Sequence, residues 1–119
     1  MYVQGFVIPV PEGAKADYLA MAETVNAWFV EQGATEVVEC WETDVPDGNL
    51  TDFRRAVQAE AGEKIVFSWM IWPDKATCDA THEKMMGEDS PFKDMGETMP
   101  FDGRRMIYGG FAPIFTLGR

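Results

Sequence analysis

Cysteine is scarce in this chain, with only Cys40 and Cys78 among 119 residues. The two fall in different predicted elements without Cys-x-x-Cys spacing, which speaks against a disulfide framework or a structural zinc site and for buried reduced thiols. Histidine is scarcer still: His82 stands alone, so any histidine-based acid–base step or haem ligation has this one residue to use. With Cys78 one helical turn earlier it offers two metal ligands, fewer than a usual site needs. No metal and no cofactor is expected. Basic charge is also short. Ten Lys and Arg against 20 Asp and Glu leave a formal charge of -10, which repels phosphate backbones and anionic lipid surfaces, so neither nucleic acid nor a membrane is an expected partner. No apolar stretch approaches the roughly 18 residues that span a bilayer, and no basic segment leads into an apolar one, so a cytoplasmic location is expected. Nucleophile-elbow, P-loop, Gly-x-Gly-x-x-Gly and His-Glu-x-x-His signatures are missing. With them goes most support for nucleotide-dependent or zinc-peptidase chemistry.

What is present is apolar substance: 46% hydrophobic and 13% aromatic residues, enough for one core in a single domain spanning 1–119. The longest β-type run is Lys64 to Pro73, read as a central strand. Alternation sends Ile65, Phe67, Trp69 and Ile71 to one face and Val66, Ser68, Met70 and Trp72 to the other. Both faces are apolar. Helices on one side would leave the second face polar, so something else is expected to cover it, and in so short a chain that is a second copy, giving a homodimer through the sheet face.

In chain order, Tyr2 to Val10 reads as a strand ended by Pro9, Pro11 and Gly13. From Ala14, the recurrence of Tyr18, Ala22, Val25 and Phe29 predicts an amphipathic helix that stops at Gly33. Thr35 to Glu42 reads as a second strand, Asp44 to Asn49 as a turn, and Thr51 to Ala59 as a resumed strand that forms an antiparallel hairpin with the central one. Asp74 is placed as the N-cap of a second helix running to about Met86, with Ala76 and Ala80 as a narrow small-residue stripe. Gly87 to Gly103 is irregular, a candidate lid with Met95 and Met99. Arg104 to Phe115 reads as the last strand, with Gly109-Gly110 as a bulge or a point of close approach. This order of two split β-α-β units predicts an α+β, ferredoxin-like sandwich: an antiparallel sheet with two helices on one face.

Several segments carry a family resemblance: Met1-Tyr2-Val3-Gln4-Gly5-Phe6-Val7, Gly33 to Trp41, Asp44-Val45-Pro46-Asp47-Gly48, Thr51 to Val57, Val66-Phe67-Ser68-Trp69 with Trp72-Pro73, Lys84-Met85-Met86, and Met99 to Phe111. The chain resembles, end to end, the YbaA-like family. The resemblance implies a small bacterial cytoplasmic protein of the dimeric α/β-barrel type, a domain of unknown function, and it brings no catalytic residues to carry over.

Candidate chemistry therefore rests on individual side chains. Glu39 and His82 are the candidate general bases, Glu39 because a carboxylate beside the indole of Trp41 can have its pKa displaced. A solvated strand carboxylate and a partly exposed helical histidine are the ordinary alternatives. Arg54 and Arg104, each one of a basic pair, are candidates for holding a ligand carboxylate or phosphate, against salt bridging to the surplus acids. Trp41, Trp69 and Tyr108 are candidates to line a cavity between sheet and helices, against plain packing. Three functions stay open: a homodimer binding a small, partly aromatic or anionic metabolite, a cofactor-free monooxygenase-like oxidoreductase acting on a phenolic substrate, and a scaffold for a protein partner.

Overall fold

The computed structural model describes residues 1–87, 90, 92 and 99–118. Its elements in chain order are β1 (Tyr2–Pro11), α1 (Lys15–Glu31), β2 (Glu36–Trp41), α2 (Phe53–Ala56), β3 (Glu63–Trp72), α3 (Lys75–Met85) and β4 (Ile107–Phe111). The sheet order is β2-β3-β1-β4, and every neighbouring pair is antiparallel. This is the ferredoxin-like arrangement expected from the sequence. The long apolar run forms β3, in unbroken register with β1 from Tyr2–Trp72 to Pro11–Glu63.

Residues paired across an antiparallel ladder share a face. Gln4, Phe6 and Ile8 therefore join Met70, Ser68 and Val66 on an inner face, while Val3, Gly5 and Val7 join Ile71, Trp69 and Phe67 on an outer one. The helices lie on the inner face. α1 buries Tyr18, Ala22 and Phe29, and these pack in two clusters, one on Ile8, Val10 and Val66 and one on Met70, Trp72 and Cys78. Gly33 ends the helix with φ of 122°, a region that side chains other than glycine's rarely enter. α3 starts where the sequence places it, with the Thr77 N–H donating to Asp74 Oδ1 at 2.7 Å. Its buried residues are Cys78 and Thr81 rather than the Ala76/Ala80 stripe. Thr81 tolerates burial because its hydroxyl donates to the Thr77 carbonyl at 2.9 Å.

Two predicted strands are corrected. Thr51 to Ala59 holds the short helix α2, because Asp52 caps it: its carboxylate accepts from the Arg55 N–H at 2.7 Å and from the Gly48 N–H at 3.0 Å. These local side-chain bonds outcompete the β-like pattern. The last strand is β4 alone, and Arg104 and Arg105 lie in a 3-10 turn, Gly103–Arg105, capped by Asp102. At its other end the chain leaves the sheet before Pro113. Gly109-Gly110 makes no bulge, since the register runs evenly from Val3–Phe111 to Val7–Ile107. It is a close approach, because a Cβ on Gly110 would overlap the Tyr2 hydroxyl. Met95 of the expected lid lies outside the described residues, and Met99 is partly exposed at the far end of that stretch.

Candidate functional site

Between the inner face and the helices lies a partly open cavity of about 380 Å³. Its wall is apolar and rich in sulfur, with Met21, Met85, Met99 and Met106 beside Phe6, Phe29 and Phe101. Flexible thioethers adapt to ligands of different outline. Against this wall stands a small polar group. Gln4 is buried on β1, the Trp72 indole N–H donates to Gln4 Oε1 at 2.9 Å, and Gln4 Nε2 lies 2.8 Å from His82 Nε2. Ser68, buried on β3, lines the same cavity. Gln4 and Ser68 are polar interruptions of the inner register, placed there by strand alternation.

Glu39 sits at the rim, exposed. Its carboxylate accepts from the Tyr18 hydroxyl at 2.7 Å and from the Asn26 amide at 3.2 Å. Burial, then the neighbouring Glu39 charge, pushes the Tyr18 phenol above its ordinary range. Glu39, His82 and Tyr108 of the sequence candidates thus meet around one cavity. Tyr108 stacks on Phe6, with ring centroids 6.4 Å apart.

The other candidates are engaged elsewhere. Trp69 borders the cavity from β3, but its indole is on the outer face and donates to Glu36 Oε2 at 3.2 Å. Trp41 has the Lys15 ammonium 5.3 Å from its ring and borders a second hollow of about 140 Å³ with Cys40, Val45, Phe53 and Phe67. Arg54 donates to the Glu42 carboxylate and, at 2.9 Å, to the Glu63 carbonyl. Arg104 bonds Asp102 at the surface. Their neighbours Arg55 and Arg105 also pair with acids, Arg105 to the buried Glu63 through two bonds of 2.6 and 2.7 Å. No group of three or more His, Cys, Asp or Glu among the described residues could hold a metal ion.

Gln4, Tyr18, Asn26 and Ser68 were not picked out by sequence reasoning. The signal for two of them was available: a glutamine and a serine in inward positions of otherwise apolar strands are costly unless bonded or used. Tyr18 and Asn26 look like an ordinary core position and an ordinary helical surface position until the rim is seen.

Fold and cavity together define a ferredoxin-like α+β protein with a pocket between sheet and helices. The chain resembles, over 100% of both chains at a TM-score of 0.68 and 9% identity, the crystal structure of a dimeric ferredoxin-like protein from an uncultured marine organism. The chain belongs to the DUF1428 family, described as proteins of unknown function, whose model matches residues 1–103. It is 54% identical over 113 residues to the uncharacterized protein YbaA of Escherichia coli K12, covering 95% of this chain and 96% of that one, and it matches YbaA of Shigella flexneri equally well. None of the described helices is long and apolar enough to cross a membrane.

Proposed function

We propose that this protein is a cytoplasmic homodimer that holds a small, largely apolar molecule in the cavity between sheet and helices. The observation that carries the reading is the cavity itself, an apolar space of about 380 Å³ with Gln4, Ser68 and His82 in its wall and Glu39 at its rim. Ligand sites have this makeup, apolar walls with a few placed polar groups that fix orientation. The arginines nominated for an anionic ligand are held by acids away from it, so the molecule is recognised by its apolar body and by hydrogen bonding rather than by ion pairing. The homodimer is supported by the uncovered outer face, where Phe67 is 45% exposed, and by the dimeric state of the structural neighbour. Two free thiols, Cys40 on β2 and Cys78 on α3, suit a reducing compartment.

Native mass spectrometry of protein purified gently from its own cells tests both parts. A dimer carrying a defined extra mass is expected, and Ser68→Leu, which fills the inner wall, should give a dimer without it. A bare wild-type dimer that shows no melting shift across a panel of apolar metabolites would remove the binding reading. A monomer would remove the homodimer.

A further inference from the structure

The segment after β4 is uncovered to an unusual degree. Ile114, Phe115 and Leu117 are 99%, 78% and 89% exposed, and none of the described side-chain bonds or loop backbone bonds involves residues 113–118. Solvated segments outside regular structure are ordinarily polar or charged. This one, Ala112 to Gly118, has no charged residue in a chain that is 25% charged.

The face from which the arm departs has the same character. Phe111, the last residue of β4, lies in register with Val3 on the outer face, and its ring covers Gly5 and Gly109. Val7, Phe67, Ile71 and Ile107 continue that face, with Glu36, in register with Ile71, the charge at its β2 margin. Two molecules of charge -10 repel each other over most of their surfaces, and this face is where they can approach. Pro113 follows β4 by two residues; it cannot extend the ladder as a donor, and it holds the residue before it extended. Six extended residues reach ~20 Å, whereas four strands span ~14 Å between their outer axes.

We propose that residues 112–118 form an exchanged arm, packing Ile114, Phe115 and Leu117 of each copy onto the outer sheet face of the other. This rests on the homodimer reading above and goes beyond it: the sheet faces alone do not complete the interface, and the two-fold relation makes each arm both donor and guest. The occupant is a second copy of this chain.

Sedimentation analysis of the wild type, of a chain ending at Phe111 and of Phe115→Asp tests the proposal, with circular dichroism to confirm that each variant keeps its fold. The dimer dissociation constant should rise tenfold or more in both variants. Phe115→p-benzoylphenylalanine, illuminated, should give a covalent dimer. An unchanged dissociation constant in the truncated chain, or a crosslink confined within one chain, would overturn the exchanged arm while leaving the homodimer in place. A wild type that sediments as a monomer would remove the homodimer reading, and the arm with it.

Discussion

The two faces of the central strands are made from alternate residues of the same segments, yet they meet different fates. On the inner face Val66, Met70 and Trp72 are 1%, 4% and 0% exposed, whereas on the outer face Phe67 is 45% exposed and burial is confined to the end at Ile65, 2% exposed beside Phe53. Hydrophobicity does not separate them, because both read as apolar. What separates them is the pair of crossovers: each β-α-β connection returns its helix to the same side, so α1 and α3 cover one face and leave the other. Gln4 and Ser68 point inward, where they are enclosed, while the outer face carries Trp69 and Ile71 with Glu36 bonded at its margin. An enclosed face can hold a hydrogen-bonded group against a cavity, and an uncovered one is better suited to another sheet.

Substitutions on the two sides should therefore break different things. The largest effect is expected for Trp72→Ala, which removes the most buried large side chain from the inner core. It should cost ~3–5 kcal/mol in urea unfolding, and a loss under 1 kcal/mol would mean that the inner packing is misassigned. Phe67→Glu on the outer face should raise the dimer dissociation constant about a hundredfold, equivalent to ~2.7 kcal/mol, while the separated chain keeps its circular dichroism. If instead it unfolds the chain, the faces do not differ as described. Gln4→Leu leaves both the Trp72 N–H and His82 without their partner, with an expected loss of ~1–3 kcal/mol and no change in assembly. The smallest effect concerns acid. Arg105's guanidinium holds the Glu63 carboxyl below its ordinary 4.5, and the Asp102 carboxyl, bonded first by the Arg104 side chain, lies at about 2 against an ordinary 3.8. Carboxyls depressed on folding contribute stability that is complete above their unfolded values and lost as pH falls through their folded ones. The urea midpoint should thus decline between about pH 4.5 and pH 2, and less steeply in Glu63→Gln. An equal slope in that variant would assign the pH dependence to other acids.

The architecture was legible because it rests on periodicity: the alternation in Lys64 to Pro73, the three-and-four spacing from Tyr18 to Phe29, Gly33 as a stop and Asp74 as a cap. The misread segments are those where individual side chains rewrite local conformation. Thr51 to Ala59 has a passable strand pattern, but Asp52 and Arg55 bond the backbone on either side of them. Arg104 and Arg105 read as the opening of a strand until Asp102 is seen to cap the turn that holds them. The site was half legible. His82, Glu39 and Tyr108 stand out as chemistry-bearing residues, and the cavity collects all three, but that Arg54 and Arg104 lie away from it depends on where Glu42 and Asp102 fall in space. Nothing in their spacing along the chain reveals that.

The bond from Trp72 to Gln4 has a direction that travels. An indole can only donate, so the Gln4 amide turns its oxygen to Trp72 and its nitrogen to His82, donating to Nε2. The imidazole must then carry its proton on Nδ1. A tryptophan with no access to solvent thus sets the tautomer of the one histidine in the chain.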